Sequence, residues 1–303
     1  MIDKNPIVSV VIVTFNASTW INCCIESVLN QSVSTIQIIV IDNNSQDDTV
    51  EKLDRYGKKI TVIHSPGNIG FGRANNIGIN KSIEMGCDYC FLLNQDAWIE
   101  PGCIASLVDA AEDNQDAGIL SPVQCSYDSN NLHCGFQSYL PSQQRQLLPE
   151  FPFEVNFIQA ALWLIPVNTL REVGGFDPVF FMYGEDDDLA ARVRNSGRSI
   201  VVVPKAIGHH RESQGSPSIK RQAARYFMDT TGLLRFSYHP IWRRYVIAGV
   251  GSLRTFTTFA CALKFRKCIS LLLSLWWIAR RSVRIETSRK TLLASRSPFL
   301  EIK

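Results

Sequence analysis

Leu92-Leu93-Asn94-Gln95-Asp96-Ala97-Trp98 joins an apolar run to a polar stop. The apolar run from Tyr89 to Leu93 reads as a buried strand of a parallel sheet, and it stops abruptly at the polar trio Asn94-Gln95-Asp96. In open α/β sheets ligands sit outside the carboxyl ends of the strands. A carboxylate there suits a divalent cation, and that cation suits a diphosphate. Alone, the trio reads equally well as a solvated loop, so its neighbours must decide.

Upstream, Ile7 to Phe15 (IVSVVIVTF) is an almost unbroken β-branched run, the pattern of a strand buried on both faces, and it ends in Thr14-Phe15-Asn16. A helix is expected from about Thr19 to Gln31, and a second strand from Ile36 to Ile41, stopping at Asp42-Asn43-Asn44-Ser45. Ser45 is the expected N-cap of a helix reaching Tyr56, with Asp47 and Asp48 in its first turn. A third strand is expected at Ile60 to His64, then a glycine-rich turn, Gly67 to Gly78, entering a helix that ends near Gly86. Downstream, Pro101 opens a helix and Ala117 to Val123 forms a strand. The strand–helix alternation predicts a mostly parallel, doubly wound sheet. Polar residues cluster after the first, second and fourth strands, which favours a nucleotide site at one sheet edge.

Residues 125 to 155 read as an irregular insertion. Beyond it come a strand-like Phe157 to Val167, a short helix at Thr169 to Val173 and a turn at Gly174 to Pro178. Glu185-Asp186-Asp187-Asp188 then opens a helix to Asn195, with Gly197 as its C′ residue. A last strand, Ser199 to Val203, leads past Pro204 to His209-His210.

Individual residues carry candidate roles beside plainer ones. Asp42, just past a strand, can accept the N–H of a pyrimidine ring or cap a helix. Gly70-x-Gly72-x-x-Asn75 lacks the third glycine of a dinucleotide fingerprint. Its glycines allow close backbone approach to a ligand, with Arg73 and Asn75 reaching a nucleotide or phosphate, or they allow tight helix–sheet packing. Four successive acids suit a helix N-terminus, yet they repel one another. Asp186 shares a helical face with Leu189, Ala190 and Val193, and an inward carboxylate near a sugar hydroxyl can serve as general base. The histidine pair reads equally as a plain loop pair or as completing a metal site, and if one of them ligates, His210 is favoured.

These motifs, VVIVTFN, VIDNNSQDDT, GNIGFGRANNIGI, FLLNQDAW, VGGFDPVFFMYGEDDDLAARVRNSG and PKAIGHH, together resemble an inverting family 2 glycosyltransferase of the GT-A fold. Within it they are most similar to the bacterial rhamnosyltransferase branch that builds O-antigen and other surface polysaccharide. The resemblance covers about residues 6 to 215. It implies a Rossmann-like α/β domain over residues 1–224 with a mostly parallel central sheet flanked by helices. Thr14, Asn16 and Asp42 would hold the nucleotide, with Asn44, Asn68, Gly72 and Arg73 around it. Asn75 would support the phosphate and ribose, and Asn94 and Gln95 would line the same edge. Asp96 matches the last acid of the family's DxD metal motif, whose first acid is here Asn94. Mg²⁺ or Mn²⁺ would then rest on Asp96 and His210. Glu185-Asp186 matches the ED motif, whose Asp is the usual base. The Gln/Arg-rich signature of processive synthases is not evident, which implies one sugar added per acceptor.

The chain has 303 residues and a net charge of +3 that hides a split. Residues 1–219 carry 14 Lys and Arg against 25 Asp and Glu, a net −11, whereas residues 220–303 carry 17 against 3, a net +14. In residues 225–303, Tyr245 to Leu263 is apolar but has Arg254 at its middle. Cys268 to Ala279 is too short to span a bilayer and is bracketed by Arg266-Lys267 and Arg280-Arg281. Helices lying in a membrane interface are expected, anchored by Trp276, Trp277 and the flanking basic residues. The plainer readings are a soluble helical subdomain or a homo-oligomer contact. Nucleic acid is not expected, since no recognition motif accompanies the charge.

Met1 to Pro6 shows no basic-then-apolar leader, and the nine cysteines follow no paired framework. Free thiols and a cytoplasmic protein, peripheral on the inner membrane, are therefore expected. The partners expected are a nucleotide-sugar donor, dTDP-L-rhamnose first, and a lipid-linked glycan acceptor. The alternatives are a UDP-sugar donor (galactosyl, GlcNAc or galactofuranosyl), or a non-catalytic sugar-nucleotide-binding scaffold at the membrane.

Overall fold

A computed structural model describes residues 6–32, 35–211, 219–236, 240–295 and 297–301. The chain opens with β1 (Val8–Thr14), α1 (Ile21–Leu29), β2 (Ile36–Asp42), α2 (Thr49–Asp54) and β3 (Thr61–His64). It continues with α3 (Phe71–Glu84), β4 (Tyr89–Asn94), β5 (Ala97–Ile99), α4 (Cys103–Asp113) and β6 (Ala117–Ser126). Next come α5 (Cys134–Tyr139), β7 (Phe153–Glu154), β8 (Leu162–Pro166), α6 (Val167–Val173), α7 (Glu185–Asn195) and β9 (Ser199–His210). Three long helices close the chain: α8 (Ile219–Phe236), α9 (Ile241–Cys261) and α10 (Phe265–Ala294).

The strands form one sheet in the order β3-β2-β1-β4-β8-β6-β9-β5, with β7 pairing off this path to β9. The ladders β3–β2, β2–β1, β1–β4 and β6–β9 are parallel and hold most of the paired residues; β8, β5 and β7 join antiparallel. Period-two alternation sends side chains to two cores. Val8, Val10 and Ile12 of β1, with Phe91 and Leu93 of β4, pack on α1 and α4. Val11, with Cys90 and Leu92, packs on α3. Each such buried aliphatic contributes about 1.5–3 kcal/mol relative to exposure. The all-apolar pattern of β1 is therefore the signature of a strand with a core on both sides.

Three expectations need correction. Ser45 does not cap α2: that helix starts at Thr49, and the Ser45 hydroxyl instead accepts the Asn16 N–H at 3.0 Å. The insertion after residue 125 is not wholly irregular, because His133 caps α5, its Nδ1 accepting from Gly135 and Phe136. His209 and His210 do not follow a strand but end β9. None of the cysteines is in a disulfide.

The last helices are docked by buried charge. Arg235 of α8 pairs with Asp188 at 2.8 Å and also with Asp177, and all three side chains are buried. Ser288 of α10 donates to Asp177 as well. Beyond α10 the chain returns to the sheet domain: Gly175 N–H donates to Pro298 O and the Asn76 amide to Phe299 O. The outer surface of α9 and α10 is apolar, with Trp242, Val250 and Leu253 on one helix and Phe265, Ile269, Leu272 and Trp276 on the other exposed. Among the described residues no helix is long and apolar enough to cross a membrane.

Candidate active site

The loops after β1, β2 and β4 converge as the polar pattern predicts. Asp42, the last residue of β2, is buried, and its carboxylate accepts from the Thr14 hydroxyl at 3.1 Å and the Ser45 N–H at 3.2 Å. His64, at the end of neighbouring β3, brings Nδ1 to 3.6 Å from the same carboxylate. Parallel register explains the meeting, since Asp42 lies level with both Thr14 and His64.

Asn16 and Asn44 both take positive φ, 52° and 68°, a conformation asparagine tolerates better than most residues. The Asn16 side chain accepts the Gln46 N–H at 2.8 Å, which joins the first two loops. Gln95 joins the first and third: its Oε1 accepts the Phe15 N–H at 2.7 Å and its Nε2 donates back to Phe15 O. Asn43 is a residue the sequence reading passed over. Its buried amide donates to Asn68 Oδ1 and accepts the Ile69 N–H, which fixes the glycine-rich turn.

The glycine-rich segment packs closely. A Cβ at Gly72 would stand 2.9 Å from Phe176 Cβ, and one at Gly70 would overlap the carbonyl of Phe181. The Asn75 amide is buried and donates to Phe71 O, while the Arg73 guanidinium donates to Pro178 O. The Asn75 bond lies within α3, whereas Arg73, with Asn76 bonded to both backbone groups of Phe176, holds the turn of residues 176–184 against that helix.

The metal candidates meet because of an element that sequence patterning did not reveal. Directly after Asp96, β5 pairs antiparallel with the end of β9, setting Ala97 opposite His210. His210 Nε2 thereby lies 3.5 Å from Asp96 Oδ1 and 3.3 Å from the Asn94 amide. His209 points to the other face, stacked on Trp98 with ring centroids 3.8 Å apart and bonded to Glu100 at 3.0 Å. Strand alternation thus separates the histidine pair. One carboxylate, one imidazole and one amide suit a divalent ion such as Mn²⁺ or Mg²⁺. Among the described residues no group of three or more His, Cys, Asp or Glu converges, so a diphosphate would have to complete such a site. Gln159 and His133 back His210: Gln159 Nε2 is 3.4 Å from His210 Nδ1, and the His133 ring is 5.1 Å from the His210 ring.

The acidic run at the start of α7 divides its work. Gly184 precedes it at φ 97°, a conformation that favours glycine. Asp188 is consumed by Arg192 and Arg235. Glu185 is buried against Gly72, and its Oε2 has no hydrogen-bond partner among the described residues. Burial, then the neighbouring Asp186 charge, pushes its carboxyl up to about 8. Asp186 is half-buried and approaches the Ala160 N–H at 3.5 Å. Burial raises its carboxyl too. The next residue, Ala161, accepts the Asn94 N–H at 2.9 Å. The base candidate and the Asn94–Asp96 loop are thus connected through two consecutive residues immediately before β8.

The family model for glycosyl transferase family 2 matches residues 9–167, and that for glycosyl transferase family group 2 matches residues 89–284. The chain is 25% identical over 289 residues to the N-acetylglucosaminyl-diphospho-decaprenol L-rhamnosyltransferase of Mycobacterium tuberculosis, covering 84% of this chain and 92% of that protein. It is 29% identical over 190 residues to an uncharacterized glycosyltransferase of Rickettsia prowazekii, covering 61% and 58% of the two. Among solved structures, S. aureus TarS 1–349 is similar at a TM-score of 0.61 and 14% identity, over 96% of this chain and 87% of that one. GalNAc-T7 with UDP, GalNAc and Mn²⁺ is similar at 0.58 and 18% identity, over 78% of this chain and 53% of that one. These two likenesses show the fold.

Proposed function

The chain belongs to glycosyl transferase family 2 and is a glycosyltransferase, and from that premise we propose that it transfers L-rhamnose from dTDP-L-rhamnose to a lipid-linked glycan acceptor in bacterial surface polysaccharide (O-antigen) synthesis. The observation that carries the reaction is the link from Asp186 through Ala160 and Ala161 to Asn94. It puts a carboxylate of raised proton affinity beside the loop that receives the donor's diphosphate. The rhamnosyl donor and the lipid-diphosphate acceptor are supported by the 25% identical mycobacterial enzyme, whose name specifies both an L-rhamnosyl group and a diphospho-decaprenol.

Asp42, at the end of β2, receives the N–H of the pyrimidine, and the Asn16–Gln46 and Gln95–Phe15 bonds hold the nucleotide loops in place. Asp186 takes the proton of the acceptor hydroxyl as its oxygen bonds to the anomeric carbon. The bond from that carbon to the diphosphate oxygen breaks, and the nucleoside diphosphate leaves with the electron pair. One displacement inverts the anomeric centre. Glu185 stays protonated near neutral pH, so a single negative charge develops on the Glu185–Asp186 pair. Asp96 and His210, with the Asn94 amide, would hold Mg²⁺ or Mn²⁺, which when bound neutralises charge on the diphosphate.

Residues 1–224 form the catalytic unit in this reading and residues 225–303 the membrane-facing one. The exposed stripe of α9 and α10 lies in the cytoplasmic interface of the inner membrane, with Arg243, Arg254, Lys264, Arg266 and Lys267 beside it for anionic lipid. The test is nucleoside diphosphate release from a panel of dTDP- and UDP-sugars, with a polyprenyl-diphosphate-GlcNAc acceptor, with and without chelator. Chelator-sensitive release from dTDP-rhamnose supports the donor and the metal. Release from a UDP-sugar alone replaces the donor and leaves the chemistry. Silence across the panel, with nucleotide binding intact, favours the scaffold.

A further inference from the structure

Three arginines meet where the glycine-rich turn faces the last helix. Arg73, in the first turn of α3, donates through Nε and a terminal nitrogen to Pro178 O at 3.2 and 2.8 Å. Asp177, the adjoining residue, accepts from Ser288 of α10. Ser288, Arg284 and Arg281 recur at helical spacing, so they share one face of α10, a turn of about 5.4 Å between each. That face carries Arg284 and then Arg281 away from Asp177, and Arg281 lies over Phe227, which packs on Phe180 of the same turn, so both arginines face the Arg73 charge. Arg281 is held between aromatic neighbours, its guanidinium 5.2 Å from the Phe227 ring centre and 5.6 Å from that of Trp277.

The cluster's one nearby counter-charge, Asp177, is shared with Arg235. Among the described residues no carboxylate forms an ion pair with Arg73, Arg281 or Arg284, and Asp177, whose charge favours protonated Arg73, is already engaged by Arg235. Burial, then the Arg284 charge, lowers the proton affinity of both Arg73 and Arg281. Arg73 and Arg281 are half-buried and Arg284 is exposed beside them, and like charges in partly buried positions cost stability unless something neutralises them. Planar guanidinium forks match phosphate oxygens, often two at a time.

The surroundings say which phosphate. Two of the three arginines stand on α10, one and two turns beyond the exposed Trp276 and on either side of Val283, which continues its exposed apolar stripe. A lipid-borne anion at a membrane surface would arrive at this level. On the other side, Phe181, Met182 and Tyr183 are exposed on the turn that leads directly into Glu185 and Asp186.

We propose that Arg73, Arg281 and Arg284 bind the diphosphate of a polyprenyl-diphosphate-linked acceptor and so hold its glycan at the Asp186 end of α7. The proposal deepens the lipid-linked-acceptor reading above and rests on it.

The test uses the full chain saturated with Mn²⁺ and nucleoside diphosphate, so that the donor's subsite is filled, and titrates farnesyl diphosphate by calorimetry. Wild type should bind farnesyl diphosphate and not farnesol. Arg281→Gln/Arg284→Gln should weaken binding about tenfold or more, as expected for lost charge-assisted bonds to phosphate. Arg284→Gln alone, at an exposed position, should show part of that loss with an unchanged melting temperature. Equal affinity in wild type and both variants overturns the proposal, as does farnesyl diphosphate binding only when nucleotide is absent. Phosphatidylglycerol vesicles give the competing source: a double variant that loses vesicle binding but keeps farnesyl diphosphate affinity assigns the arginines to lipid headgroups instead. Because binding is read without turnover, a silent donor panel leaves this result standing, and a failed titration leaves the donor result standing.

Discussion

Arg235 of α8 reaches Asp188 of α7 at 2.8 Å inside the protein, and the same guanidinium pairs with Asp177. The helix that presents Asp186 is thus tied to the C-terminal helices through the acid two residues further on. Removing Arg235 leaves the buried Asp177 without a cation, beside an Asp188 that keeps only Arg192. Arg235→Ala should therefore lose about 3–5 kcal/mol of stability in urea unfolding. A loss below about 1 kcal/mol would show that the pair is not buried as described.

Asp186→Asn should lower the transfer rate about a hundred- to ten-thousand-fold while nucleotide affinity stays within error. Calorimetric titration with nucleoside diphosphate, beside a turnover assay, separates the two effects. Surviving turnover would move the base elsewhere.

The two histidines should part company. His210→Ala or Asp96→Asn should weaken Mn²⁺ affinity, raising the metal concentration needed for half-maximal activity. His209→Ala should lower the melting temperature by removing the Trp98 stack and the Glu100 contact, with metal dependence unchanged. A metal titration of all three variants checks this, and equal behaviour of His209 and His210 would refute the assignment.

Stability should fall as pH rises through neutrality. Glu185 has a folded-state value of about 8 against an ordinary 4.5, and Asp187 about 7 against 3.8, both raised first by burial. The folded state therefore binds more protons than the unfolded one between roughly pH 4 and 8, and its stability drops across that window. Glu185→Gln, which mimics the neutral acid, should flatten the profile of melting temperature against pH. A wild type whose stability rises from pH 5 to 8 would contradict it.

Membrane attachment is best tested by substitution rather than truncation. Ending the chain near Arg225 would remove Arg235 and Ser288 together, stranding Asp177 and leaving Asp188 with Arg192 alone. Trp242→Ser, Leu253→Asp and Trp276→Ser change only exposed positions. They should abolish flotation with anionic vesicles while the melting temperature stays put. Retained flotation would remove the interface reading.

The sequence by itself determined the strand run from Val8 to Thr14, the strand that ends in Asn94 and the acidic start of α7. Those signals are local: an all-apolar strand has a core on each face, and a polar stop at its carboxyl end marks a ligand edge. Only the tertiary structure decided which of two adjacent histidines faces Asp96, because that depends on the register of the three-residue strand β5, too short to show a period. It also decided that Asp188 is an anchor and that Ser45 ties down Asn16 rather than capping a helix. Their partners lie 47 and 29 residues away along the chain, and no pattern within a single helix or loop carries that information.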